Sequence, residues 1–493
     1  MLAALLGGAL AGLGQAPFGL VWLALIGLMA GFALFSSTAT TRQSAWVGWA
    51  FGVGYFALTL SWIVEPFLID IARHGWMAPF ALIGMAGGLA LFWGAAFGLA
   101  RRFGGALALV VFWTIAELAR TYVLTGFPWS LLGYIWLDWG LDQFASLIGP
   151  HGLTLLTLAA GWALMAALMH SKRVILLPLA VIGVGGLAYL GSIYGFGKAM
   201  KLALNTGPNA APIVRLIQPN APQEQKWDPE MIPVFFNRSL GFTSAPADGR
   251  APDVIIWPET SVPYLLNTGQ GALEVISDAA GDIPVVLGMQ RRDAVQYFNS
   301  LVVLGADGTV ADVYDKSHLV PFGEYMPGGA LASALSLRGL AANDGYGFGA
   351  GDGLRLLEVD GLGTALPLIC YEAIFPQEVG GLTTRPDWML HITNDAWFGQ
   401  YTGPQQHLAQ TRFRAIEQGL PMVRAANTGI SAMIDARGQI VASLPLGVSG
   451  YLDAELPSAL PATIYARSGD LPIVLLLILC AAALLLKSRR FSS

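Results

Sequence analysis

Six runs of apolar residues fill the first two hundred positions of this chain, at 17–36, 44–64, 77–99, 104–124, 151–169 and 174–194, and a seventh lies at 471–486. A helix needs about 20 predominantly apolar residues to cross a bilayer's hydrocarbon core, and these runs have that order of length. The composition agrees: 55% of residues are hydrophobic and 12% charged, against about one quarter charged in soluble domains. A purely water-soluble protein is therefore excluded. A shorter run, 1–13, comes first and is set off by Gly14-Gln15-Ala16-Pro17. As a signal peptide it would need a basic start and a small-x-small cleavage site; it has neither, and is expected as a short first helix.

Charge sets the orientation, because short cytoplasmic loops keep Lys and Arg. Arg42, the pair Arg101 and Arg102, the pair Lys172 and Arg173, and the tail Lys487, Arg489 and Arg490 fall on alternate loops, all on one side. The intervening loops hold Glu65, Asp70, Arg73, Asp138 and Asp142 and are net acidic. Counting from Arg42, the chain leaves the bundle on the far side after Tyr194, and the last helix returns it. The expected organisation is a transmembrane bundle of seven helices at 1–197, an extracytoplasmic domain at 198–468, and a final transmembrane helix with a basic tail at 469–493. Residues 201–470 carry 16 basic against 27 acidic side chains, so nucleic acid is excluded as a partner.

The extracytoplasmic segment alternates short β-branched runs with helical patterns. Strands are expected at 211–218, 253–257, 283–288, 300–304, 365–370, 388–393, 422–426 and 432–434, and helices at 230–244, 271–279 and 403–418. That alternation points to a layered α/β domain. The cysteines, Cys370 and Cys480, exclude a disulfide framework or a Cys-rich metal site. With no glycine-rich phosphate loop and no His-x-x-x-His pair, neither cofactor nor metal is expected.

Three segments carry residues suited to chemistry. Cys370 follows an apolar strand directly, where a sharp turn can present a nucleophile, and an unpaired thiol in an oxidising compartment is a liability unless it has a use. The plain alternative is a buried cysteine acting as a small hydrophobe. Trp257-Pro258-Glu259-Thr260 ends another strand; proline stops the ladder, so Glu259 projects from the sheet edge as a candidate general base, or sits at a helix start against the dipole. The stretch from Tyr314 to Tyr325 has no periodicity and reads as a structured loop. In it, Lys316 could stabilise an oxyanion and hold the thiolate charged, and Glu324 could orient Lys316 or accept a substrate proton; otherwise both are surface charges. A competing arrangement would pair Cys370 with His318, His391 or His407.

Glu259, Lys316 and Cys370, in that order and each on such a segment, resemble the Glu-Lys-Cys triad of the nitrilase, or carbon-nitrogen hydrolase, superfamily. Placed behind membrane helices and followed by one more, the domain is similar to the apolipoprotein N-acyltransferases. Supporting segments are Gln218-Pro219-Asn220 through Trp227, Tyr297-Phe298-Asn299-Ser300, Asn394 through Gly399, Arg424 through Gly429, and Gly126-Phe127-Pro128-Trp129. Phe298 departs from the second tyrosine found in many members. The resemblance implies an α-helical membrane bundle plus an αββα nitrilase-like domain, located in the bacterial inner membrane with the domain facing the periplasm. It implies a ping-pong reaction in which Cys370 takes a fatty acyl chain from a phospholipid, typically phosphatidylethanolamine, and passes it to the α-amine of a diacylated apolipoprotein. It carries over Glu259 as base and acid, Lys316 as oxyanion stabiliser, Glu324 as an auxiliary acid, Tyr371 and Glu372 as residues shaping the thiol pocket, and Trp227 as a substrate-loop residue. Asn394, Trp397 and Phe398 are taken as substrate-binding, and the protein as a monomer among membrane lipids. The alternative is a membrane-tethered amidase or nitrilase that hydrolyses a small amide. Trp129, Trp136 and Trp139 are expected at the membrane interface, and Glu117 and Arg120, spaced i, i+3, are expected to pair.

Overall fold

The computed structural model describes residues 1–169, 176–204, 211–247, 249–327 and 347–490. Lys172, Arg173 and the first positions of the 174–194 run lie outside the described residues. The chain divides into two compact units: Met1–Met200 with Tyr401–Gln418 and Ala462–Ser493, and Lys201–Gln400 with Gly419–Pro461.

The first unit is helical. Its long helices are Leu2–Gly12, Val21–Ser37, Thr41–Thr59, Ala78–Phe103, Ala106–Tyr122, Ala145–Met169, Leu176–Leu204, Gly403–Gln418 and Leu471–Arg490. Among the described residues, Ile71–Phe103, Leu141–Met169 and Leu471–Ser488 are long and apolar enough to cross a membrane, and Thr41–Thr59 with Ser61–Leu68, bent by 65°, make a fourth if taken as one span. Apolar side chains such as Ile83, Leu91 and Leu479 point outward, as lipid solvent allows. Small residues let the helices touch. A Cβ on Gly8 would lie 1.8 Å from the Phe51 carbonyl oxygen, and one on Gly54 1.9 Å from that of Leu5, so Leu2–Gly12 and Thr41–Thr59 meet backbone to backbone.

Two buried charge clusters in this unit find partners, as burial demands. Glu117 and Arg120 pair at 2.9 Å with no exposed side-chain surface, and Trp93 Nε1 donates to Glu117 Oε1 at 2.7 Å. Arg120 Nη1 donates to the carbonyls of Phe127 and Trp129, so the pair fastens the 126–129 segment. Near the last helix, Asp470 accepts from Tyr122 and Tyr465 and faces His151 at 3.0 Å. Trp129 and Trp136, expected at the interface, are buried instead, with indole donors to Gln406 Oε1 and Thr157 Oγ1; Trp139 alone of the three is exposed. Helix Gly403–Gln418 belongs here too: its Phe413 and Ile416 pack with Leu131, Tyr134 and Leu153.

The second unit is α/β. Its strands are β1 (Ile213–Gln218), β2 (Val254–Ile256), β3 (Val285–Arg292), β4 (Tyr297–Leu304), β5 (Val310–Asp315), β6 (Leu357–Val359), β7 (Gly363–Ile369), β8 (Trp388–Thr393), β9 (Met422–Ala426), β10 (Ser431–Ile434), β11 (Ile440–Leu444) and β12 (Gly450–Glu455). They form two six-stranded sheets, ordered β12-β1-β2-β3-β4-β5 and β11-β10-β9-β8-β7-β6. Each has a parallel centre, β1-β2-β3 in one and β7-β8-β9 in the other, with antiparallel strands on its flanks. Parallel strands are covered on both faces and so read as continuous apolar runs, which is why the sequence located them. The sheets meet where the Ser431 backbone N–H donates to Gln218 Oε1 at 3.0 Å. Helices Ile232–Thr243 and Gln270–Ala280 cover the first sheet, placing Leu240, Leu273 and Ile276 against Ile217, Trp257 and Val285.

Candidate active site

The site is assembled at the C-terminal ends of the central strands, where parallel sheets place their ligand-facing groups. Cys370 follows β7 at once and opens a 3-10 turn, Cys370–Ile374, with φ of +53°. A non-glycine residue in this region is strained, and here the strain turns the chain sharply off the strand with the thiol at its corner. Glu372 holds the corner in place. Its Oε2 accepts from the Ile369 backbone N–H at 2.7 Å, and its Oε1 from the Tyr314 hydroxyl and the Ser317 backbone N–H, each at 2.7 Å. One carboxylate thus ties the turn bearing Cys370 to the loop bearing Lys316.

Glu259 lies just beyond β2. Asn299 Nδ2 donates to its Oε1 at 2.6 Å and the Asn394 backbone N–H to its Oε2 at 2.7 Å. The neighbouring strand approaches closely enough that a Cβ on Gly288 would sit 2.6 Å from the Pro258 oxygen, the Glu259 Cα and the Thr260 nitrogen. Lys316 Nζ lies 3.9 Å from Glu259 Oε1 and donates to Glu324 Oε1 at 2.9 Å. Glu324 also accepts from Asn299 Nδ2 and from the Val320 backbone N–H, so it orients Lys316. The structure brings Glu259, Lys316, Glu324 and Cys370 into one buried cluster.

The electrostatics of the cluster follow from burial. Desolvation first, and the Glu259 charge second, raise the Cys370 thiol above its ordinary value, while Lys316 and a hydrogen bond from Thr393 pull it down without prevailing. These opposing influences leave the thiol protonated, so a nucleophilic role for it would call for a base. Burial alone would lower the Lys316 ammonium, but Glu324, Cys370 and Glu259 together raise it. Lys316 stays a cation and suits an oxyanion. Burial also raises the Glu372 carboxyl, against the hydrogen bonds it accepts and the charge of Lys316.

The histidine alternative loses its chemistry in the structure. Arg424 can only donate, so His391 Nδ1, 2.7 Å from Arg424 Nη1, is the acceptor. His391 Nε2 then carries the proton and donates to the Cys370 carbonyl at 3.1 Å. Both ring nitrogens are committed, and the ring positions the turn instead of deprotonating the thiol. His318 faces Glu378 at 2.7 Å and stacks on Phe375, while His407 lies on the Gly403–Gln418 helix of the helical unit.

Of the other expected residues, Asn394 presents its backbone N–H to Glu259 and its side chain to Gln223 and Asn427. Tyr371 is buried edge-on to Phe375. Phe398 is buried, Trp397 half-buried and Trp227 exposed. Three residues of this cluster had no role in the sequence reading: Asn299, which bridges the two carboxylates; Gly288, which admits Glu259; and Lys226. Lys226 is buried, with Nζ 3.4 Å from the Glu259 carbonyl oxygen. Burial lowers it to about 8, although Glu259 and Cys370 pull the other way. The only signal for Lys226 and Asn299 was their position inside segments already singled out.

The carbon-nitrogen hydrolase family model matches residues 213–465, and the apolipoprotein N-acyltransferase N-terminal domain model matches residues 7–163. The chain is similar to the apolipoprotein N-acyltransferase of Rhodopseudomonas palustris, at 39% identity over 99% of this chain and 95% of that one. It is similar also to that of Bradyrhizobium diazoefficiens, at 40% identity over 99% of this chain and 94% of the relative. A solved CN-hydrolase superfamily protein of Xanthomonas campestris aligns with 54% of this chain and 97% of its own length, at 19% identity and a TM-score of 0.38.

Proposed function

This chain belongs to the apolipoprotein N-acyltransferase family, whose second part is a carbon-nitrogen hydrolase domain, and from that membership we propose a two-step acyl transfer through Cys370. In the first step Glu259 takes the thiol proton and Sγ attacks the ester carbonyl of a phospholipid acyl chain, with phosphatidylethanolamine as the expected donor. The ester C–O bond breaks, the proton passes to the departing glycerol oxygen, and a thioester and a lysophospholipid remain. In the second, the α-amine of an S-diacylglyceryl-cysteine at a lipoprotein N-terminus attacks the thioester. An amide forms, the C–S bond breaks, and the amine's proton returns through Glu259 to the thiol. Lys316, oriented by Glu324, stabilises the oxyanion in both steps.

The observation that carries this reading is the buried convergence of Glu259, Lys316 and Cys370, with Lys316 Nζ 3.9 Å from Glu259 Oε1 and both charges acting on the thiol. The apolar helices support it: both substrates are lipids held in a bilayer, and an enzyme anchored there meets them already confined. The reading places the protein in the inner membrane as a monomer with residues 198–468 facing the periplasm, and Trp227, Trp397 and Phe398 toward lipid substrate.

The test is to trap the intermediate. Incubated with acyl-labelled phosphatidylethanolamine, the protein should acquire a hydroxylamine-sensitive label that Cys370→Ala abolishes and a diacylated lipopeptide discharges as N-acyl product. Discharge to free fatty acid, indifferent to the lipopeptide, would favour amidase-like hydrolysis; an unlabelled wild type would reject the thioester altogether.

A further inference from the structure

Lys226 is a buried charge with few partners among the described residues. It is 8% exposed, and among the described residues its ammonium makes one long hydrogen bond, 3.4 Å to the Glu259 carbonyl oxygen, and one ring contact, 5.6 Å to the centroid of Trp227. An ammonium has three protons to place, and burying one with so little compensation costs stability. Lys316, by contrast, is matched by the carboxylate of Glu324.

The space beside Lys226 shows what could complete it. A small pocket beside it is lined by Lys226, Trp227, Thr260, Ile232, Phe235 and Phe236, among others. Lys226 is the charged residue of its lining, and no carboxylate is among those lining residues. Its lining joins one cation to apolar and aromatic side chains, a combination suited to an amphiphile that bears a single negative charge. Lys226 itself adjoins the reacting groups, because it meets the backbone of Glu259 and its charge interacts with Cys370. In a diacyl phospholipid the phosphodiester stands one glycerol away from the ester that reacts. The amine-bearing acceptor, a thioether of diacylglycerol, has no phosphate.

We propose that Lys226 binds the phosphodiester of the acyl donor, selecting phospholipid over neutral glycerides in the first half-reaction and taking no part in the second. The proposal rests on the acyltransferase reading of the site. It makes Lys226 a specificity residue, distinct from the oxyanion-stabilising Lys316, which serves both halves.

The experiment uses the full-length chain in detergent micelles and follows single-turnover labelling of Cys370 from phosphatidylethanolamine and from diacylglycerol carrying the same acyl chains. Lys226→Met should slow labelling from the phospholipid by about tenfold to a hundredfold, the worth of one charge-assisted hydrogen bond, and erase the wild-type preference for phospholipid over diacylglycerol. Lys226→Arg should restore most of that preference. Discharge of preformed acyl-enzyme to a diacylated lipopeptide should proceed at the wild-type rate in both variants. Equal losses with both donors, a slowed discharge, or an intact preference in Lys226→Met would each overturn the proposal. A wild type unlabelled by either donor would instead remove the acyltransferase reading, and this one with it.

Discussion

Replacing Glu259 with glutamine should make formation of the acyl-enzyme dependent on hydroxide. In the native site, burial and then the Glu259 charge hold the Cys370 thiol above its ordinary value of 9.0, so at pH 7 less than about 1% is thiolate and the reaction relies on the base. General-base catalysis is worth about 10²–10⁴ in rate, or about 3–5 kcal/mol of barrier, and that is the expected loss at pH 7. The glutamine should retain the side-chain position. Its oxygen must stay on the Asn394 backbone N–H, which cannot turn, so its amide group falls against Asn299 Nδ2, donor against donor. Turning Asn299 over would aim its oxygen at Glu324. Removing the negative charge also removes the second cause holding the thiol up, which brings the thiol closer to titrating. Thiolate appears as pH rises, so acylation of the variant should climb about tenfold per pH unit between roughly pH 6.5 and 8.5, and the wild type, with its own base, should be much flatter. Single-turnover labelling of Cys370, quenched in acid across that range, measures both slopes. A variant within tenfold of wild type at pH 7, or one whose residual rate ignores pH, would refute the assignment of Glu259 as the base.

The supports of the site should answer differently from the groups that react. Gly288→Ala puts a methyl 2.6 Å from the backbone at 258–260 and should displace Glu259, lowering the acylation rate about a hundredfold for about 1–3 kcal/mol of stability; a fully active variant would show that the close approach is not required. Glu372→Gln keeps the acceptor for Tyr314 and Ser317 but sets an amide against the Ile369 N–H. It should cost about 1–3 kcal/mol, read as a lower thermal midpoint together with slower Cys370 labelling, and an unchanged midpoint would contradict the clamp.

Strands buried on both faces were the easiest to read, because β2 and β8 are buried along their whole length and mostly apolar. The edge strands β5, β6, β11 and β12 were missed. Strand β5 carries Asp312 and Asp315, which interrupt the apolar pattern that marks a strand, and β11, though mostly apolar, is a largely exposed edge. Cys370 and Glu259 stood out because each follows an apolar run, and Lys316 because it lies in a loop without periodicity. Asn299, at the β4 position paired with Gln290, looks like any strand asparagine until the fold sets two carboxylates beside it.

By itself the sequence determined what depends on the transfer energy of a local segment: which stretches are apolar, and which short runs must be buried as strands. Its motifs singled out, in order along the chain, the candidate groups that the fold brings together. Only the tertiary structure decided which groups burial leaves charged and which it leaves in need of a partner. It withdrew Trp129 and Trp136 from the interface, placed the Gly403–Gln418 helix with the helical unit, spent both nitrogens of His391 on positioning, and buried Lys226 beside Glu259. The physical reason is that desolvation and hydrogen-bond satisfaction depend on neighbours brought from distant parts of the chain, and no local pattern records who those neighbours will be.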